Sequence, residues 1–183
     1  MKNRVFIFID GSNFYFKLKE LTLNNSKLTV LSNFNFREFA QWLVAPHKLI
    51  EIHYYLGAVR QEKSNPKSQK LYAEQQKLLR RLQSQKIIFT LGQIIRHPDK
   101  TYHEKGVDVR LAVEMIRFAR LDKYDIAYLL SSDTDLVPAV EEVKSFGKKV
   151  CYVGTAKGQS FGLSKTANDV RLLRPEEIKD FFA

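Results

Sequence analysis

The sequence predicts an α/β protein in which helices cover both faces of a central, mainly parallel sheet. Three observations predict it. Short apolar runs alternate with longer amphipathic stretches, as in sheets covered on both sides. The first run, VFIFI at 5–9, is apolar at consecutive positions, as a strand buried on both faces must be. The unit 125–154 reads as strand, helix and strand, the repeating element of a doubly wound sheet. With 183 residues and 44% hydrophobic content, one domain over 1–183 has enough apolar material for its own core.

Along the chain, the strand at 5–9 runs into Asp10, and Gly11, Ser12 and Asn13 turn it into a helix at 13–21. A second helix is expected at 36–44 and a strand at 49–59. Pro66 opens a helix at 66–83, since its missing N–H is one the first turn does not use, and Leu71, Leu78 and Leu82 form its core-facing stripe. A strand at 87–95 and the polar loop RHPDKTYHEK precede a helix at 107–119. Strands at 126–130 and 149–153 flank a helix at 136–146, which Gly147 ends because a residue without Cβ takes the left-handed conformation freely. A last helix is expected at 175–181.

Charge and cysteine content narrow the partners. Lys and Arg number 30 against 20 Asp and Glu, a formal +10 that calls for an anionic partner such as nucleic acid or a membrane surface. Residues 60–105 hold eleven of the cations and four of the acids, +7 of that total. A helix with Lys70, Lys77 and Arg81 on one side would attract a phosphate backbone without reading its sequence. No isolated basic amphipathic helix with an exposed aromatic face favours a membrane. Cys151 has no second cysteine to pair with, which excludes a disulfide framework and a cysteine metal site and fits a cytoplasmic location. Five apolar residues before Asp10 are too few for a signal peptide or a membrane span.

Residues just past the carboxyl ends of parallel strands are the best functional candidates. Asp10 follows the first strand, Asp133 and Asp135 in YLLSSDTDLVP follow the fourth, and Asp108 opens the helix after Gly106. Singly, each reads equally well as a turn or helix cap. Together on one rim they would repel one another unless a cation sat among them. Mg²⁺ or Mn²⁺, which prefer hard oxygen ligands and keep several waters, suit such a cluster and the phosphate oxygens of a substrate. Asn13 and Ser132 would hydrogen-bond a metal-bound water or a phosphate, or simply cap their turns. Lys105 would neutralise a phosphate, or stand as one more solvated lysine. Tyr54, Tyr55, Tyr72 and Tyr102 are candidates for stacking on unpaired bases, although aromatics of this kind are more often core. His97 and His103 lack a pattern of supporting partners and are read as phosphate contacts or as having no role. The oligomeric state stays open, a homodimer included.

IDGSNF at 9–14, EKGVDVRLAVEM at 104–115 and LLSSDTDLVPAVEEVKSFGKKVCYVG at 129–154 resemble the NYN domains, PIN-like ribonucleases, and are most similar to the LabA-like branch. The resemblance covers residues 4 to 173. It implies a Rossmann-like three-layer α/β/α sandwich and a divalent-metal site that hydrolyses RNA. Matched position by position, the family's acidic site falls on Asp10, Asp108, Asp133 and Asp135. Ser132 stands where the family often has glycine. FGLSKTANDV at 161–170 resembles the family's last motif, with Ser164, Asn168 and Asp169 after the final core strand. The same residues argue against two other folds. A haloacid-dehalogenase-type phosphatase would need an aspartate at Ser12, and a receiver domain would need paired acids after the first strand. The resulting expectation is a metal-dependent, endonucleolytic ribonuclease acting on RNA, single strands among its substrates. The alternative is a non-catalytic RNA- or protein-binding module that keeps the acidic pocket.

Overall fold

The structure is a computed structural model that describes residues 2–22, 31–62, 64–96 and 102–182, with backbone alone for 95–96 and 102–104. The central sheet contains β1 (Arg4–Asp10), β2 (Lys48–Leu56), β3 (Ile88–Leu91), β6 (Ile126–Leu130), β7 (Lys149–Thr155) and β8 (Asp169–Leu173) in the order β3-β2-β1-β6-β7-β8. All neighbours in it are parallel. This is the doubly wound order, with its switch point between β1 and β6. A separate antiparallel ribbon pairs β4 (Gln93–Arg96) with β5 (Tyr102–Lys105).

The consecutive apolar residues of β1 divide between two cores, because successive side chains on a strand point to opposite faces. Val5, Ile7 and Ile9 pack with Phe14 and Leu18 of α1 (Gly11–Leu21), Phe36 and Phe39 of α2 (Phe36–Val44), and Leu79 and Leu82 of α3 (Pro66–Ser84). Ile178 of α7 (Pro175–Ile178) closes that layer. Phe6 and Phe8 pack instead with Leu111 and Met115 of α4 (Val107–Arg120), Val140 and Val143 of α5 (Val137–Ser145), and Leu163 of α6 (Phe161–Thr166). The amino-terminal edge of the sheet is tied by Arg4, whose guanidinium bonds Asp125 at 2.7 Å and Asp122 at 2.8 Å. The bonds from Arg4 hold the Asp125 carboxyl down at about 2.

Several elements differ from the sequence reading for physical reasons. The apolar run 87–95 is two strands, because the chain leaves the main sheet at Gly92, whose N–H donates to the Leu56 carbonyl at 2.9 Å. The polar loop expected at 96–105 supplies the second strand of the ribbon. β8 was not expected: as an exposed edge strand it lacks the apolar run that marks the buried ones. The expected helix at 136–146 opens as a 3-10 turn, Thr134–Leu136, before α5 begins. Leu71 is 46% exposed rather than core, so the buried stripe of α3 is confined to its carboxyl-terminal half at Leu79 and Leu82.

That half-buried α3 shapes the functional end of the molecule. Gln75, midway along it, donates to the Gly57 carbonyl at 2.7 Å and accepts from the Val59 N–H at 2.9 Å, just where the chain leaves β2. The part of α3 before Gln75, about 13 Å at 1.5 Å per residue, therefore rises past the rim of the sheet and carries Lys67 and Lys70 with it.

Candidate active site

A cleft of about 240 Å³ opens at the carboxyl ends of β1 and β6, lined by Asp10, Ser12, Asn13, Phe16, Gly57, Val107, Asp108 and Asp133. It lies at the switch point, where open parallel sheets hold their ligands. α1 forms one wall and the first turn of α4, from the opposite face of the sheet, forms the other. Both helices present their amino-terminal ends, whose partial positive charge favours an anion there.

Asp10 is both a cap and a cleft residue. As the last residue of β1 it caps α1, its Oδ1 accepting from the Asn13 N–H at 3.1 Å, while Oδ2 accepts from the Ser131 hydroxyl at 3.0 Å. It is only 6% exposed. Burial raises its carboxyl above the ordinary value and the nearby charge of Asp133 raises it further, against the lowering pull of the bonds from Asn13 and Ser131. Asp133 likewise caps its turn, accepting from the Asp135 N–H at 2.9 Å, and it lines the cleft as well. Its own N–H donates to the Ser131 hydroxyl at 3.1 Å, so Ser131 joins the two acidic turns.

Ser131 is a residue that sequence reasoning missed. The register pairs Ile9 with Leu130, so the next position sets Ser131 beside Asp10. Extending β6 by one residue would have found it. Asp108 is exposed on the second position of α4, which starts after Gly106 with φ of +87°, a conformation that favours glycine. Asp135 is exposed on the 3-10 turn, outside the cleft lining.

The other expected contacts disperse. Asn13 lines the cleft, whereas Ser132 bonds the Tyr152 hydroxyl at 3.2 Å and supports β7. Lys105 is exposed at the end of β5, and Lys70 and Lys77 are exposed on α3. Arg81 sits near the far end of α3, where its Nε donates to the Phe34 carbonyl at 3.3 Å. Tyr54 and Tyr55 are core: Tyr55 donates to Glu114 at 2.8 Å, and the Tyr54 ring fills the space above Gly11. A Cβ at Gly11 would overlap that ring and stand 2.7 Å from the Tyr55 carbonyl, so this glycine serves close packing of α1 on β2. Asn168 accepts from the Val150 N–H at 2.9 Å, at the opposite end of the sheet from the cleft. His97 and the side chains of Tyr102 and His103 lie outside the described residues.

The donor set is that of a hard divalent cation, carboxylate oxygens with space for water. Its spacing is open: among the described residues no three His, Cys, Asp or Glu side chains stand close enough to enclose an ion. Cys151 offers no soft ligand, because burial pushes its thiol up to about 12.

A family model of the NYN domain matches residues 4–173. The chain belongs to the NYN domain family. Membership implies a PIN-like nuclease fold and, at that coarse level, a hydrolase that binds nucleic acid. NYN and PIN-like nucleases usually use divalent metals. The fold recurs in the crystal structure of a protein of unknown function from Vibrio parahaemolyticus, with a TM-score of 0.67 and 22% identity over 100% of this chain and 97% of that one. No curated protein matches the chain. Among the described residues no helix is long and apolar enough to cross a membrane.

Proposed function

We propose that this NYN domain, spanning 1–183, is a divalent-metal-dependent ribonuclease that cuts RNA endonucleolytically. One observation carries the reading: Asp10, Asp108 and Asp133, from three distant segments, line a single cleft at the switch point of the sheet. Asp10, Asp108 and Asp133 would hold Mg²⁺ or Mn²⁺, with Asp135 orienting the turn and waters completing the shell. When bound, the ion activates a water and neutralises charge on the phosphoryl oxygens.

The chain's own residues do the positioning. The amino-terminal ends of α1 and α4 and the Asn13 amide orient a phosphate between the walls. Ser131 fixes Asp10 relative to Asp133. Lys105 and the exposed Lys70 and Lys77 hold the flanking backbone through charge alone.

The open spacing of the carboxylates favours a second reading, a binding module that retains the pocket without turnover. A cleavage assay separates the two. Labelled RNA incubated with Mn²⁺ should be cut by the native chain, spared in excess chelator, and spared by Asp10→Asn and Asp133→Asn. Cutting by both variants at the native rate would refute the site, and salt-sensitive binding without any cutting would establish the module.

A further inference from the structure

We propose that Phe16 is the surface on which the cleft stacks a nucleobase, a proposal that rests on the nucleic-acid reading above. Phe16 is 61% exposed, yet it lines the same cleft as the three carboxylates. The buried positions of α1 are Gly11, Phe14, Leu18 and Leu21. At about 100° per residue, Phe16 lies roughly 200° around the helix from Phe14, so it contributes nothing to either core. The ring contact it makes among the described residues is edge-on to Tyr15, with centroids 5.6 Å apart.

The neighbours of this ring define what it would meet. Ser12 and Asn13 precede it on α1, and Asp10 and Asp108 are acidic, so no basic side chain in the cleft lining uses its face. A ligand that satisfies both halves of the cleft must bring phosphate oxygens to the acidic side, through a cation, and a flat π-surface to Phe16. A nucleotide has both. At about 240 Å³ the cleft is smaller than the roughly 300–1,000 Å³ pockets that enclose drug-sized ligands. It therefore takes a phosphate and one flanking group rather than a length of duplex. In a duplex both faces of each base are already stacked, so only an unpaired base can offer its face to Phe16.

The test separates this contact from the nuclease reading by measuring binding and cutting independently. Binding of a fluorescein-labelled single-stranded RNA, followed by anisotropy with Ca²⁺ as the hard cation and the strand checked intact on a gel, should weaken about 5- to 150-fold in Phe16→Ala and in Phe16→Leu, the loss of one stacked base. Phe16→Trp should restore it. An RNA with one 2-aminopurine should be quenched on binding the native chain and Phe16→Trp but not Phe16→Leu, a signal that a merely structural role would not move. Native-like affinity and quenching in Phe16→Leu, or equal affinity of the native chain for duplex, would overturn the Phe16 assignment while leaving nuclease activity untouched. A native chain that binds single strands with these Phe16 effects but never cuts would uphold Phe16 and overturn the nuclease. A native chain that neither binds nor cuts RNA would overturn both.

Discussion

Replacing Asp10 by asparagine should make the metal-free protein more stable and the metal-loaded protein relatively less so. Asn ranks with Asp as a helix cap, so the bond from the Asn13 N–H survives. What the variant loses is the attraction of a charge to the amino-terminal end of α1, about 0.3–1 kcal/mol, and the bond donated by the Ser131 hydroxyl, which must turn to accept from the new amide. What it gains is relief from a carboxylate that is 6% exposed and close to Asp133. Because burial and Asp133 outweigh the bonds to Asp10, the net change at pH 7 should be a gain of about 1 kcal/mol. For a chain of this length that is a rise of about 2–4 °C in Tm. A carboxyl raised in the folded state favours the proton there, so native stability falls as pH rises above the ordinary 3.8. The advantage of the variant should therefore be present at pH 7 and vanish below about pH 3.8. With Mn²⁺ at a hundred times its Kd the native chain should gain about 2.7 kcal/mol, which the variant forgoes, and the order of melting should reverse. Differential scanning calorimetry in chelator and in Mn²⁺ measures both arms. If Asp10→Asn melts below the native chain in chelator, the carboxylate is primarily a structural cap; equal shifts with Mn²⁺ would remove it from the metal site.

Other substitutions probe the scaffold and the basic edge. Gly11→Ala should cost about 1–3 kcal/mol by pushing α1 off the Tyr54 ring and the Tyr55 carbonyl, read as a lowered Tm. His53, buried beside Phe6 and Phe8, is held neutral below its ordinary 6.5 by burial, so the unfolded chain binds its proton first. Native stability should therefore drop as pH falls below about 6.5, and His53→Phe should flatten that decline in a Tm series from pH 7.5 to 5. Lys70→Gln should reduce the slope of log K against log salt by about 0.7 for single-stranded RNA. Arg81→Gln should leave that slope unchanged and lower Tm instead, because its guanidinium serves the Phe34 carbonyl.

The strands that carry the site were legible because they are buried on both faces. VFIFI and IAYLL have to be apolar throughout, and the turns after them have to be small and polar, so Asp10 and Asp133 stand out at their ends. Gly147 likewise could be read as a cap, and it does take φ of +72°. Features fixed by long-range pairing could not be read this way. Nothing local divides Ile87 from Ile95 except Gly92, and the partner that turns residues 93–96 into a ribbon is a separate segment, 102–105. β8 and Ser131 depend on register with distant strands. Phe16 was hidden for a different reason: an aromatic residue in an apolar stretch looks like core until the ends of its helix are known. The same ambiguity made Tyr54 and Tyr55 look available, when β2 buries both of them.

The bridge through Ser131 divides the cleft mechanically. Asp10 ends β1, Asp133 caps the turn just past the adjacent strand β6, and both bond the Ser131 hydroxyl, so they form a fixed jaw whose spacing the sheet sets. Asp108 arrives on α4 from the opposite face, after the two-stranded β4–β5 ribbon, and belongs to the other jaw. The gauge of the cleft is thus set by how Val107, Leu111 and Met115 of α4 pack on the sheet, with the Asp10–Asp133 pair acting as the anvil against which it is set.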